Sequence, residues 1–437
     1  MRSPSSWLFA KEWRELTASR AWWVMLLVIG PLVGMSFIGA VTAYGELSGV
    51  NGAAAGVGEA FSPLVGIWAP TFSACELAAA FLLPFVGIRL VSGDRHSGAL
   101  KIEMQHPLSS FARVSIKGVV LLAGWLIATM PAVIGVMLWA SYGGSIYVPE
   151  LVTVIAGHVL NGCLTIALAA TAAALTEHPA TAAIVTLTVT VGTWLINFAA
   201  AVNGGWWERA AAYTPTAMVA EFQRGLWRAD VTLVAACLIL AGMALAAIWL
   251  RLGVTVRRRV QETGALVIAL SLAIAAASIV TASADTSESR RNSFSTNEEA
   301  ALRTIPGDLR IEAHFAPEDP RRSDLELRAF RKLRRALPSV QIEYVSATST
   351  GLFEQTADRY GEISYELNGR RLVSRNTTAE GVLESVMELG GVSSPPDNGE
   401  IFRGHPLAAR PRGAAAVFYV AWPLIIAAMA FYVQGRT

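Results

Sequence analysis

The chain has 437 residues, 53% of them hydrophobic and 16% charged, with a net charge of +2. A soluble domain carries about 25% charged residues, so a purely soluble chain is excluded and much of the apolar sequence has to lie in membrane spans. The small charge, with no basic stripe between aromatics, excludes a nucleic-acid binder. Cys75, Cys163 and Cys237 lie singly in apolar runs, which excludes a disulfide framework or a thiolate zinc site.

Residues 5–19 form a charged helix with bulky apolar residues at Trp7, Leu8, Phe9, Trp13 and Leu16, expected to lie in the membrane interface. The apolar run 21–44 is too long for a signal-peptide core and is a retained span. Loop 45–65 has no Lys or Arg. A second span covers about 67–90. Next comes the stretch 89–117, RLVSGDRHSGALKIEMQHPLSSFARVSIK, with Arg89, Arg95, Lys101, Arg113 and Lys117. Its central part is expected to form a short surface helix closed by Pro107. Such a segment leaves charges and helix ends unsatisfied in lipid, so it protrudes on one side of a membrane.

Further spans follow at about 114–140, 151–175 and 180–202. The Trp-rich segment 203–230 is expected to hold an interfacial or re-entrant helix. A sixth span, 231–250, meets the basic residues Arg251, Arg257, Arg258 and Arg259. Basic residues concentrate before the first span, in 89–117 and after the sixth span, which places the N-terminus and 89–117 in the cytoplasm. A seventh span, 264–280, leads outside. It ends near Ala282-Ser283-Ala284, which has the form of a cleavage site but is expected to stay uncleaved. An eighth span, 414–433, returns the chain to the cytoplasm.

Between those last two spans, residues 285–413 change character. Leu309, Ile311, Ala313 and Phe315 alternate as a strand does. Ser323 to Glu326 suggests a capping box, opening a helix with an apolar stripe of Leu327, Phe330, Leu333 and Leu337. Arg328, Arg331, Arg334 and Arg335 make up its other face. Val340, Ile342 and Tyr344 mark a second strand. Asn368-Gly369 signals a hairpin. Thr377 to Glu380 suggests another cap, before a helix that turns Val382, Val386 and Leu389 inward. The expected fold is a membrane all-α part of about eight transmembrane helices plus a small extracytoplasmic α/β domain, with linkers at 285–300 and 391–413.

No Walker A, H-E-x-x-H, G-x-S-x-G or EF-hand spacing occurs, so ATP hydrolysis or metal catalysis by this chain is not expected. His314 and His405 are far apart and read as ordinary histidines rather than a metal site. Asn376-Thr377-Thr378 matches a glycosylation sequon and equally a helix cap. Inside the spans, Glu76, His158 and Asn161 stand out, with His158 and Asn161 on one helix face. Ionisable groups in spans face protein or a cavity. Two readings stand: Glu76 and His158 line or gate a pathway near the outer leaflet, or they form a structural hydrogen-bonded pair. The stretch 89–117 either connects spans or couples them to an ATPase subunit.

The order of an amphipathic helix, a first span and SGDRHSGALKIEMQHPLSSFARVSIK resembles the permeases of type-2 ABC exporters. The matching residues are Asp94-Arg95, Gly98-Ala99-Leu100, Pro107-Leu108-Ser109 and Lys117-Gly118; Lys101 and Gln105 depart from the more apolar pattern there. The second part resembles the auxiliary subunit of gliding-motility-type (GldG-like) ABC systems. That likeness rests on IPGDLRIEAHF, ALPSVQIEYV, YGEISYELNGRR, TTAEGVLESVMEL and IFRGHPL, without the larger second lobe of those subunits. The resemblance implies an ABC-2 type permease domain over 1–259, a seventh span in 260–284, a GldG-like domain over 285–413, and an eighth span with a tail over 414–437. It implies a non-enzymatic permease of a bacterial inner membrane, acting as an exporter and as a homodimer or paired permease. ATP and Mg would sit on a separate ATP-binding subunit docked on 89–117, through Asp94, Arg95, Gly98, Leu100, Pro107, Leu108 and Ser109. The alternative is a membrane-anchored assembly or sensor protein whose external domain binds a partner.

Overall fold

A computed structural model of the chain describes residues 4–51, 61–103, 105–203, 206–316, 319–337, 339–345, 359–393 and 402–435. Among these residues, 8 helices are long and apolar enough to cross a membrane, as a multi-pass membrane protein requires. They are Arg20–Gly49, Leu64–Asp94, Ser110–Ser141, Val148–Leu175, Pro179–Ala200, Ala229–Trp249, Val256–Ala277 and Ala414–Gln434, numbered here as spans one to eight. Their order matches the sequence expectation, while several ends move. Span two begins at Leu64 and continues to Asp94, past its last apolar residues, because the charge that ends it is paired inside the protein. Span seven begins at Val256, so Arg257 to Arg259 form its first turn rather than a preceding loop. Pro84 follows a break at Leu82 in span two, and Pro131 follows one at Thr129 in span three, where each ring removes a helix hydrogen bond.

The chain divides into two compact units: residues 1–197, 209–284 and 403–437, and residues 198–208 and 285–402.

In the first unit, span one packs against spans two and eight through small residues. A side chain at Gly30 would come within 2.0 Å of Trp422 Cδ1, and one at Gly34 within 2.4 Å of Phe418 Cβ. Trp422 Nε1 donates to the Leu26 carbonyl at 2.7 Å. In span four, Gly157 lies under Phe222 and Gly162 under Trp125, the close approach that small residues permit between membrane helices. Residues 402–413 are not the loose linker expected. Leu407 N–H donates to Ser48 Oγ and His405 N–H to the Phe61 carbonyl; Tyr44 and Tyr142 hydroxyls donate to the carbonyls of His405 and Arg412. The rest of the expected linker, 394–401 with Ile401, lies outside the described residues. Strands β1 (Leu226–Arg228) and β2 (Ser283–Asp285) form a two-stranded ribbon, so the Ala282-Ser283-Ala284 sequence sits in paired backbone.

The second unit is a sheet in the order β4-β3-β5-β6. β3 (Leu309–Ala313) runs parallel to β4 (Val340–Tyr344) and antiparallel to β5 (Ile363–Leu367), which pairs with β6 (Arg370–Ser374). Asn368 and Gly369 have φ of 50° and 79°, the left-handed pair that the hairpin turn requires. The helix Ala379–Gly390 buries Val382, Val386 and Leu389 as expected, and its cap is Thr378, which accepts from Gly381 N–H. Asn376 Oδ1 accepts from the Thr378 N–H and hydroxyl, so its side chain serves that cap.

Three expectations are corrected here. Residues 285–300 are built rather than linking: Asp285 accepts from Ser287, Asn292 and Ser293, and Ser295 and Glu298 form a capping box for the helix Thr296–Arg303. Ser323 is not a cap; the arginine-rich helix 320–336 starts at Pro320, with Asp319 accepting from Arg321 N–H. A wide turn at Glu326–Phe330 adds a residue to the helical repeat. The inward positions are therefore Leu325, Ala329, Phe330 and Leu333, while Leu327 is exposed.

Hydrogen bonds from Arg321, aided by one from Tyr360, hold the Asp319 carboxyl down at about 2. Asp319→Ala is expected to cost about 1 kcal/mol, the usual value of such a cap. The cap's stabilisation is present above the ordinary carboxylate range and fades as pH falls towards 2. Urea unfolding of both forms at pH 7 and pH 3 measures the difference, which should shrink at the lower pH.

Candidate functional site

The stretch 89–117 is bound to the N-terminal helix Pro4–Ala18 by a buried ionic cluster. Leu8, Glu12 and Leu16 recur at four-residue spacing on the buried face of that helix. Leu16 fills the space beside Gly124 of span three. Glu12 is thereby carried into the interior, fully buried. Lys117 occupies the equivalent place on span three, between the buried residues Val114 and Leu121.

Lys117 Nζ donates to Glu12 Oε1 at 2.6 Å and also to Asp94 Oδ2. Lys11 Nζ donates to Asp94 Oδ1 at 2.6 Å, to Glu12 Oε1 at 3.1 Å and to Glu103. Asp94 thus bridges two ammonium groups. The carboxylates of Glu12, Asp94 and Glu103 lie within 4.8 Å of one another, a separation that would suit a cation. Here the two lysines already supply the positive charge. Trp7 packs on His106 with centroids 4.9 Å apart, and Arg113 donates to the His106 carbonyl at 2.8 Å.

The short surface helix expected in this stretch is present over Ala99–Glu103, set directly against the end of span two. Span two runs on helically to Ser97, Gly98 ends it with φ of 77°, and a separate helix covers Ala99–Glu103. Pro107 is exposed and Leu108 half-buried in the turn that follows. Ser109 caps span three by accepting from Ala112 N–H. The side chains of Arg95 and Leu100, and all of Met104, lie outside the described residues.

Three carboxylates against two lysines leave one buried negative charge in excess. Burial pushes the Glu12 carboxyl up to about 6, against the opposing pull of Lys117 and Lys11. Burial alone would lower the Lys11 amine, but the Asp94 and Glu103 carboxylates outweigh it and hold it above its usual range. Between about pH 4.5 and 6 the folded chain therefore carries a proton on Glu12 that the unfolded chain releases. That contribution to stability grows as pH falls through this window, by about 2 kcal/mol at 1.36 kcal/mol per unit. Glu12→Gln should remove the slope, as thermal melting of both forms between pH 7 and 4.5 would register.

The second group of expected residues separates. Glu76 lies twelve residues into the span that starts at Leu64, about 18 Å along it at 1.5 Å per residue. That is deeper than a span starting near 67 implied. Glu76 and Asn161 both line a cavity of about 420 Å³ between spans two, four, five, six and seven. His158 is not among its lining residues. It is buried against the Phe72 ring at 5.4 Å, with Nε2 3.2 Å from the Gln223 amide nitrogen. The helix Pro215–Gln223 of the Trp-rich segment supplies that amide. The same segment puts Tyr213, Thr214 and Thr216 at the cavity wall.

Sequence reasoning missed the roles of Lys11, Glu12 and Glu103. The usable signal was a carboxylate inside the apolar repeat Leu8-Glu12-Leu16. Comparison with protein-family models, curated proteins and solved structures found no match to the chain.

Proposed function

We propose that the chain is the permease subunit of an ABC exporter, driven by a separate ATP-binding subunit that docks on residues 89–117. One observation supports this reading above the others. The Lys11–Glu12–Asp94–Glu103–Lys117 cluster joins the N-terminal helix, the end of span two, the helix Ala99–Glu103 and the start of span three into one body. Buried ion pairs add little stability over apolar packing and are better suited to fixing register. A registered body that continues into two spans suits a lever: force on the short helix would reach the spans rather than dissipate in a loop.

In this reading residues 89–117 face the cytoplasm of a bacterial cell and 285–402 lie outside. The permease works as a homodimer or a paired permease, and the external α/β domain meets cargo or its next carrier. Affinity purification from native membranes tests the docking. An ATPase subunit should follow the intact chain and be lost when residues 98–109 are replaced by a flexible linker of equal length. Full retention by the linker variant would refute docking at this segment.

A further inference from the structure

The 420 Å³ cavity is lined by Glu76, Asn161, Tyr213 and seven threonines among otherwise apolar residues. Most of its threonine hydroxyls are spent on the protein. Thr165, Thr190 and Thr193 donate to carbonyls of their own helices, Thr171 to Ala167 and Gly242 carbonyls, and Thr263 accepts from Trp249 Nε1. Polar capacity remains at Glu76, whose hydrogen-bonding neighbour is Thr216, and at Asn161. Asn161 is 5% exposed and is one of the residues that line the cavity. No lysine, arginine or histidine is among the lining residues. A cationic, hydrogen-bond-donating group fits beside Glu76, and an anionic one would meet Glu76 without compensation.

With those hydroxyls spent, the rest of the lining is mostly apolar, with Trp194 among the aliphatic side chains. Along span four it runs from Asn161 to Thr171, about 15 Å at 1.5 Å per residue, or half of a hydrocarbon core about 30 Å thick. An apolar cavity of about 150 Å³ takes a benzene ring, so this one takes about 17 carbons. Spans five and seven, which wall it, are the least buried of the eight, with 17% and 6% of their apolar windows inside the protein. Within the described residues, these two spans are therefore covered by little other protein.

We propose that this cavity binds a cationic amphiphile with one alkyl chain, its ammonium group between Glu76 and Asn161 and its chain between spans five, six and seven. Its being cargo rests on the permease reading; its being a ligand does not.

The test is photolabelling of the purified chain in zwitterionic nanodiscs with hexadecylamine carrying a diazirine near the chain end. Hexadecanoate with the same diazirine is the comparison. The amine should label peptides from spans five, six and seven at least tenfold more than the acid, and unlabelled hexadecylamine should compete. Glu76→Gln should bring the two probes to within about twofold, and Ala241→Phe, which fills the cavity, should abolish labelling. Equal labelling of the intact chain by both probes, or labelling that survives Ala241→Phe, would overturn the site. Competition by unlabelled amine against unlabelled acid on the unaltered chain gives the same answer if a variant does not fold. Adding the ATPase subunit and ATP separates the two ideas: amine labelling that ATP leaves unchanged refutes the cargo role while the binding site stands.

Discussion

Replacing Lys117 with methionine is expected to cost about 3–5 kcal/mol, the cost of breaking a buried ion pair by removing one partner. The ammonium is almost fully buried and contacts both Glu12 and Asp94. Without it those carboxylates keep only Lys11, which also serves Glu103 and Glu15. The detergent-purified variant should melt well below the unaltered chain, with the N-terminal helix becoming protease-sensitive first. Adding Asp94→Leu and Glu12→Leu should recover much of the loss, because apolar packing can replace a buried ionic network at little cost. The triple variant then separates stability from coupling: it should fold, and it should transmit less from the docked subunit. Unchanged melting of Lys117→Met would mean the cluster is hydrated and loose.

The second large effect is expected at the contact of spans one and eight. Gly34→Ala puts a methyl group where Phe418 Cβ is 2.4 Å away, and Phe418 is fully buried. The methyl group has to displace that packed side chain, so overpacking of about 3 kcal/mol is expected. Phe418→Ala alone should also cost about 3–5 kcal/mol through the cavity it leaves. Together the two should cost somewhat less than their sum: alanine at 418 removes the contacts at Cγ and Cδ2, 2.7 and 3.2 Å away, while the one at Cβ stays. Melting temperatures of the four forms measure that coupling. Additive losses would show that the helices do not meet here.

The spans were legible because each is an apolar run longer than a buried soluble helix. The hairpin at Asn368-Gly369 and the inward face of Val382, Val386 and Leu389 were legible for local reasons: turn chemistry and helical period. What failed was non-local, or shifted by one residue. The wide turn at Glu326–Phe330 moved the apolar stripe off Leu327, and Asp319 took the cap that Ser323 seemed to offer. The strap at 402–413 reads as polar and irregular, yet its backbone is held by Ser48 and Tyr44. Gly30 and Gly34 stand in a G-x-x-x-G spacing, a signal for helix contact that went unused.

The site was half legible. Asp94, Gly98 and Ser109 stood out in the sequence, and each has a definite structural role: bridge, helix stop and helix cap. Their partners did not stand out. Glu12 lies 105 residues from Lys117, and nothing in a local pattern links a carboxylate on one helix to an amine so distant. His158 and Glu76 looked alike as intramembrane ionisable groups. Packing separates them, one against Phe72 and Gln223, the other at a cavity wall.

The central claim is that force on residues 89–117 reaches the spans. Its most direct measurement uses Thr193→Cys, in a chain whose native cysteines are alanine, purified with its ATPase subunit. The rate of thiol labelling in the cavity is compared with and without ATP. ATP should change that rate several-fold in the intact chain and much less in the variant carrying Lys117→Met, Asp94→Leu and Glu12→Leu. Equal rates with and without ATP in the intact complex would contradict it.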